Sequence, residues 1–261
     1  MNTTENQKWQ LDLLRELIRT SFKLRYNDSV LGFIWVILKP LLTFTVLFIV
    51  FSNFKSDVYG SIETFQVYLL VGVVFYGYFS ESILSGMDSL LGLAHIILKV
   101  QFPKQLAVLS SQGLALINFF FSLIILIAIS LLNPIQPTLL SLLNFVYAIS
   151  VLTVSAYSIS LFSSVITVRF RDLKQIFEIL LQLGFYLSPI IYPITLIPES
   201  YRDIYMLNPV TIVIQSARAA LITGEVLYFK ELTIIMLGAL CVILIGRIYF
   251  SKFVKRVTEY Y

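Results

Sequence analysis

The sequence predicts an all-α membrane protein with six transmembrane helices. Hydrophobic residues make up 58% of the 261 residues and charged residues 13%, about half the charged fraction of a soluble domain. No charged residue occurs in the 64 positions between Lys104 and Arg169, which is enough chain for two crossings of roughly 20 apolar residues and a turn. A buried helix of a large soluble domain, the alternative, does not require such a run. Lipid-exposed backbone must satisfy its own hydrogen bonds, so the spans are predicted to be helices.

The N-terminal segment is amphipathic. From Trp9 to Tyr26, apolar residues recur at steps of three and four, and charged residues occupy the other side. This pattern predicts a cytoplasmic helix in the headgroup layer, within residues 1–29; a helix packed on a soluble partner domain is the alternative. No cleavable signal peptide is expected, because these residues lack a short apolar core followed by small residues.

Six apolar segments follow and are assigned to one transmembrane domain, residues 30–261. They cover about residues 30–51, 65–84, 106–132, 139–168, 173–191 and 227–250. Ser85-Gly86 is predicted to break the helix at the end of the second span. Lys39 and Pro40 interrupt the first span. A lysine at the bilayer centre costs about 2.5–3.5 kcal/mol, so Lys39 is expected to snorkel or to face a polar interior.

Two stretches between the spans do not suit a full crossing. Residues 90–104 are too polar and predict a short amphipathic cytoplasmic helix that ends at Phe102-Pro103-Lys104. Residues 192–224 contain three prolines, and their apolar pieces are only about ten residues long. Such pieces suit re-entrant helices whose backbone is covered by protein or water.

The distribution of Lys and Arg sets the orientation. With six spans, fifteen of these residues lie on the inner side and four on the outer side, namely Lys55, Arg202, Arg218 and Lys230. This bias predicts that both termini are cytoplasmic. A full crossing by residues 204–224 would instead place the basic C-terminus outside.

Several kinds of chemistry have no sequence support. The chain has no GxxxxGK[ST] pattern for ATP, and its single His95 and single Cys241 supply neither a metal site nor a catalytic triad. Its basic residues are spread along the chain, so a nucleic-acid partner is not predicted. Glu81 and Glu178 lie near predicted span ends, which favours structural roles over a proton relay. The sequence therefore argues against an enzyme and against a proton-driven carrier.

Five motifs, in order, resemble a known family. They are Leu24-Arg25-Tyr26 with residues 29–35 and Lys39-Pro40-Leu41; residues 98–103; residues 168–172; residues 187–193; and Leu207-Asn208-Pro209. This set is similar to the permease subunit of type-2 ABC exporters, in the branch that exports polysaccharide, O-antigen and teichoic acid. The resemblance covers almost the whole chain. It departs at Gln101, where the family pattern has an aromatic residue.

The resemblance implies a half-transporter in the bacterial inner membrane. Two copies of the chain would pair, each bound to a separate ATPase subunit that carries ATP and magnesium, and would move a lipid-linked glycan outward; membrane lipid would surround them. The permease itself would bind no cofactor. A teichoic-acid, drug or lipid exporter of the same fold is the nearest alternative. A membrane scaffold would have no ATPase partner, and a secondary transporter would show an internal repeat, which is not evident.

The resemblance also assigns roles to residues. A coupling helix within residues 90–104 would dock in the ATPase through Leu98, Lys99, Phe102, Pro103 and Lys104; an ordinary loop is the alternative. Residues 192–224 would form outer gate helices, with candidate residues Pro193, Pro198, Arg202 and Pro209. Aromatic side chains offer a flat apolar face to sugar rings. The candidate pathway residues are therefore Trp35, Tyr76, Tyr78, Phe185 and Tyr186, with helix packing or interface anchoring as the alternative.

Overall fold

The computed structural model describes residues 3–26, 32–52, 62–97, 99–100 and 102–253. Within these ranges the regular structure is helical and no strand occurs. The α-helices are α1 Thr3–Tyr26, α2 Ile34–Ser52, α3 Ile62–Gly92, α4 Ala94–Ile97, α5 Gln105–Leu131, α6 Leu139–Arg169, α7 Leu173–Leu187, α8 Glu199–Met206, α9 Pro209–Ile222 and α10 Phe229–Phe253. A short 3₁₀ helix covers Ile194–Leu196. The predicted all-α class is confirmed for this part of the chain.

Five of the described helices are long and apolar enough to cross a membrane: α2, α3, α5, α6 and α10. The predicted span at 173–191 corresponds to α7, which has 15 residues and ends at Leu187. The helix ends there because Pro189 cannot continue it and holds Ser188 in an extended conformation, with ψ of 144°. Helix length alone therefore does not confirm the six-span count.

The predicted break at Ser85-Gly86 is wrong, because α3 continues through it to Gly92. The Ser85 hydroxyl donates to the carbonyl of Glu81 at 2.6 Å, which satisfies its polar group inside the helix. Gly86 lies where α6 crosses α3, and a Cβ atom there would be 2.4 Å from the Cβ of Ser160. The glycine permits close helix packing rather than a turn.

Helix α3 is the centre of the main core. It packs against α2, α5, α6, α7 and α9, and α10 packs against α6 and α9. Phe75 of α3 is fully buried and meets Phe119 of α5 and Phe145 of α6 edge to face, with both centroid distances 5.5 Å. This arrangement leaves α2, α7 and α10 with large exposed apolar faces, as expected for helices that meet lipid or another subunit.

A second core joins α1 to the bundle. Its buried members include Leu17 of α1, Leu90 of α3, Phe102, Leu161 of α6 and Phe250 of α10. The predicted amphipathic helix is therefore present as α1, but it packs along α5 of its own chain. The division into a segment 1–29 and a domain 30–261 stays a prediction.

Two contacts define the ends of the bundle. The Asn133 amide meets the Gln66 side chain at 3.5 Å at one end, and Lys174 pairs with Asp88 at 2.8 Å at the other. The 22 residues from Gln66 to Asp88 rise about 33 Å along α3, close to the hydrocarbon thickness of a bilayer. These are called the Gln66 end and the Asp88 end. The sequence assigns the Gln66 end to the outside and the Asp88 end to the cytoplasm.

Candidate functional site

One face of α3 is polar and partly exposed. We call it the polar stripe; its members are Gly77, Ser80, Glu81, Leu84, Ser85 and Asp88. Every other residue from Leu69 to Leu90 is buried. Because the stripe residues recur at steps of three and four, they share one side of the helix. A largely polar surface therefore runs along the half of α3 nearer the Asp88 end.

Helix α1 borders the stripe through an ion pair. Arg25 Nη1 lies 2.8 Å from Glu81 Oε1, and the two side chains are 44% and 27% exposed. The Asn118 amide of α5 donates to the same carboxylate oxygen at 2.6 Å, and the Tyr26 hydroxyl donates to the Asn118 carbonyl oxygen at 3.0 Å. This network ties α1, α3 and α5 together.

Helix α7 borders the stripe on another side. Lys174 Nζ lies 2.8 Å from Asp88 Oδ2 and 3.9 Å from Glu178 Oε1. Farther along α7, the Tyr76 hydroxyl of α3 donates to the carbonyl oxygen of Leu181 at 2.7 Å. Polar contacts near the start of α7 and at its middle thus fix it against α3.

A buried arginine joins the end of α7 to α3 and α9. Arg218 of α9 is 3% exposed, and its guanidinium donates to the carbonyl oxygens of Tyr68 (3.0 Å), Pro189 (2.6 Å) and Ile190 (2.7 Å). The guanidinium also lies 3.4 Å from the centre of the Tyr68 ring. A Cβ atom at Gly72 would be 2.6 Å from Arg218 Nη2, so the glycine makes room for it. Arg218 is therefore a buried structural cation inside α9, whereas from the sequence it was assigned only to the outer side.

Two of the predicted pathway aromatics are buried inside the chain. Tyr76 is 5% exposed and packs edge to face on Phe185, with a centroid distance of 5.5 Å. Tyr78 is 2% exposed, stacks on Phe119 and donates to Thr153 Oγ1 at 3.1 Å. In this conformation both residues pack helices together. Their role in a pathway stays a prediction.

The other three pathway candidates are more accessible. Trp35 of α2 is 47% exposed and Tyr186 of α7 is 58% exposed, while Phe185 is half-buried between Tyr76 and Tyr186. Lys39 is also exposed and lies one turn beyond Trp35 on the same face of α2. Neither α3 nor α5 covers that face.

The predicted coupling residues fall into two groups. Lys99 and Pro103 are exposed, whereas Phe102 is buried in the second core beside Leu106. Lys104 is half-buried, and desolvation lowers the pKa of its ammonium group. Leu98 lies outside the described residues. Within the described residues of 90–104, α3 ends at Gly92, and the short helix α4, Ala94–Ile97, precedes a turn at residues 99–100.

The predicted gate residues shape the chain between α7 and α9. Pro193 precedes the 3₁₀ helix, Pro198 precedes α8, and Pro209 is the first residue of α9. Proline suits such starts because its missing N–H would have no helical partner there. Arg202 donates to the carbonyl oxygens of Ile197 (2.9 Å) and Thr195 (3.1 Å), which fixes the turn before α8. The gate role of these four residues stays a prediction.

Four residues of this site were not predicted from the sequence: Arg25, Glu81, Asn118 and Arg218. The polar stripe had a readable signal, since Gly77, Ser80, Glu81, Ser85 and Asp88 recur at helical spacing in an otherwise apolar stretch. Pairing Arg25 with a carboxylate 56 positions away had none. Arg218 gave a partial signal, because it is a lone charge in an apolar piece of α9.

Comparison with known proteins completes this picture. Curated relatives include the O-antigen export system permease protein RfbA of Klebsiella pneumoniae, 26% identical over 97% of this chain and 96% of the relative. RfbA of Myxococcus xanthus is 31% identical over 79% of both chains, and the polysialic acid transport protein KpsM of Escherichia coli is 24% identical over 89% of this chain and 88% of the relative. The family model described as ABC-2 type transporter matches residues 12–222. The chain therefore belongs to the ABC-2 type transporter family.

Proposed function

We propose that this chain is the membrane permease subunit of an ATP-driven exporter that moves a lipid-linked polysaccharide, such as an O-antigen, from the cytoplasmic side outward. The observation that carries the proposal is similarity over nearly the full length to permeases named for O-antigen export. Family membership supports the transport mechanism, and the named relatives support the substrate class. Hydrolysis of ATP, with its magnesium, would take place on a separate subunit.

In this proposal α7 supplies the sixth crossing, and both termini lie in the cytoplasm of a bacterial inner membrane. The support is the pair of contacts at its ends. Lys174 pairs with Asp88, whereas Pro189, just beyond α7, accepts from Arg218 beside Tyr68. Tyr68 and Asp88 are 20 residues apart on α3, a rise of about 30 Å. In this proposal the extended Ser188 and the turn at Pro189 and Ile190 carry the chain beyond α7 and complete a bilayer crossing that 15 helical residues cannot make alone.

Two copies would form the transporter, with the glycan passing between them. The exposed apolar faces of α2 and α7 fit either lipid or the second copy. Trp35 and Tyr186 are the predicted aromatics best placed to meet sugar rings without rearrangement, because each is about half exposed. Pro193, Pro198, Arg202 and Pro209 would set the shape of the outer gate.

The ATPase would dock at the surface around α4. Lys99, Val100 and Pro103 are exposed there, next to the exposed His95. Ile97 and Phe102 point into the second core and hold the segment from beneath. Movement of the docked ATPase would thereby reach α3 and α5, because the same core contains Leu90 and Leu106.

The docking surface is tested by comparing an exposed residue with a buried one. Val100→Asp should abolish copurification of the ATPase while leaving the melting temperature of the permease unchanged. Phe102→Ala should lower that temperature, since truncating a buried Phe costs about 3–5 kcal/mol. Normal ATPase recovery with Val100→Asp would contradict docking at this surface.

The function is tested in a strain that lacks this chain. Surface polysaccharide should disappear and the undelivered lipid-linked polymer should accumulate in the cytoplasmic leaflet. Plasmid-borne wild type should restore export, and a variant of the partner ATPase that binds ATP without hydrolysing it should not. Unchanged surface polysaccharide in the deletion strain would refute the proposed function.

A further inference from the structure

We infer that the polar stripe of α3, bordered by Arg25 of α1 and Lys174 of α7, is a water-facing wall of the passage and contacts the hydroxyl groups of a carbohydrate chain. The inference rests on the proposed export function and deepens it. It assigns the wall to Gly77, Ser80, Glu81, Ser85 and Asp88 rather than to the buried Tyr76 and Tyr78.

The Arg25–Glu81 ion pair lies at membrane depth. Glu81 lies 15 residues from Gln66 along α3, a rise of about 22 Å. Asn118 lies 13 residues from Leu131, the last residue of α5, a rise of about 20 Å, and Asn133 follows just beyond that end. The two helices therefore agree on the level of the pair. In a hydrocarbon layer about 30 Å thick, that level is within the membrane, nearer the Asp88 end.

Both side chains of this ion pair are partly exposed. The side chain of Arg25 is 44% exposed and that of Glu81 is 27% exposed in the protomer. Charged groups at membrane depth face a bundle interior or a water-filled cavity, because contact with lipid tails is costly. The exposed part of this pair therefore requires water or a polar neighbour.

The exposed surface of the stripe continues along α3 on both sides of Glu81. Gly77 lies one turn from Glu81 on the same face, and a Cβ atom there would meet no atom within 4 Å, so the space above it is open. Ser80 and Ser85 extend the polar surface, and Asp88 carries it to the end of the bundle, where it pairs with Lys174. From Gly77 to Asp88 the stripe therefore contains no aromatic side chain, and Leu84 is its one large apolar member.

Helices α1 and α7 flank the stripe on its two sides. Tyr76 donates a hydrogen bond to α7, whereas Glu81 forms an ion pair with Arg25 of α1. Tyr76 and Glu81 lie on opposite sides of Gly77 around α3. Helices α1 and α7 therefore border the stripe rather than cover it. At this border Phe185 of α7 packs on Tyr76, and the exposed Tyr186 packs on Phe185.

The chemistry of the stripe fits a neutral, hydroxyl-rich chain. Carboxylate and hydroxyl oxygens accept hydrogen bonds, and Arg25 and Lys174 donate them. Each carboxylate of the stripe is paired with a cation, so the surface is polar without a large excess of either sign. A conduit requires binding that is strong enough for entry and weak enough for release, and compensated charges provide such a surface.

The test is thiol reactivity in native membranes that contain the assembled complex. The exposed Cys241 is first replaced by Ser, and single cysteines are introduced as Ser80→Cys and Ser85→Cys, which change one atom each. Phe120→Cys is the matched control, because Phe120 is 61% exposed and lies beside the level of Asn118, but on another face of α5. Leu244→Cys on α10, where the native residue is 62% exposed, is a second control.

A charged methanethiosulfonate reagent should modify the stripe cysteines at least about tenfold faster than the controls, because the reactive thiolate forms only where water has access. Full modification of Ser80→Cys with a bulky reagent should also stop polysaccharide export. Stripe cysteines that react no faster than the controls, as when lipid or a tightly packed second copy covers them, overturn the inference. So does normal export after full modification. A deletion strain that keeps its surface polysaccharide defeats the proposed function instead, whatever the reactivity.

Discussion

Replacing Arg218 with Met should release the end of α7 from α3 and α9. Met has similar length but donates no hydrogen bond, so the carbonyl groups of Tyr68, Pro189 and Ile190 lose a donor. The Tyr68 carbonyl is inside α3 and keeps its helical partner. The other two lie in an irregular segment that is buried or nearly so.

The magnitude follows from those two carbonyl groups. Leaving a buried acceptor unsatisfied costs about 1–3 kcal/mol. The Ile190 carbonyl incurs this cost, whereas the Pro189 carbonyl keeps a 3.4 Å hydrogen bond from the Tyr68 hydroxyl, so the two together cost about 1–6 kcal/mol. Removing the guanidinium also ends the cost of burying a charge, which favours the lower part of that range. For a loss in that lower part, about 1–4 kcal/mol, and at about 2–4 °C per kcal/mol for a chain of this size, the melting temperature should fall by about 2–16 °C.

The assay is thermal unfolding of the purified protein in detergent, with aggregation followed by size-exclusion chromatography. Arg202→Met is the matched control, because Arg202 also donates to backbone carbonyl groups but is 36% exposed, so water replaces its hydrogen bonds. Arg218→Lys should be intermediate, since one ammonium group keeps the charge but does not span three acceptors. Equal melting temperatures for Arg218→Met and Arg202→Met would refute the structural role of the buried guanidinium.

Three further predictions concern packing and surface charge. Gly86→Ala should destabilise the protein by about 1–3 kcal/mol, because the added Cβ atom overpacks against Ser160. Gly238→Ala is the control and should be neutral or slightly stabilising, because a Cβ atom there meets open space. Equal melting curves for the two variants would contradict the close α3–α6 contact. Lys174→Met should change the free energy of unfolding by less than about 1 kcal/mol, because the side chains of Lys174 and Asp88 are both more than a third exposed. A large fall in melting temperature would contradict this exposed position of the ion pair. Tyr78→Phe should lower the free energy of unfolding by about 0.5–1.5 kcal/mol, because it removes the hydrogen bond to Thr153 but keeps the stacked ring. An unchanged free energy of unfolding in chemical denaturation would argue against that bond.

The long helices could be predicted closely where strong signals mark their ends. The observed bounds of α5 and α6 agree with the predicted spans to within one residue, because Asn133-Pro134 and Pro137 stop one helix and Arg169 ends the other. Helix α3 was misjudged, since Ser and Gly end helices in water but pack helices together in a membrane. The same residues therefore carry opposite signals in the two settings.

The candidate site was harder to predict because its contacts are distant in sequence. Burial of Phe102, Tyr76 and Tyr78 depends on which helices meet, which local pattern does not reveal. The aromatic residues attracted attention by their suitability for sugars, yet the observed polar surface is made of small and charged residues on α3. Helix α7 was predicted as a full span, and its shorter helix reflects the proline that follows it.

ATP-dependent translocation by the reconstituted complex tests the central claim most directly. The purified permease with its ATPase is placed in liposomes that contain the lipid-linked polysaccharide, and the fraction hidden from an externally added lectin is measured. With ATP and magnesium outside, the hidden fraction should rise, and it should stay constant with a non-hydrolysable nucleotide. A hidden fraction that ATP does not change, in complexes that hydrolyse ATP, would contradict export by this chain.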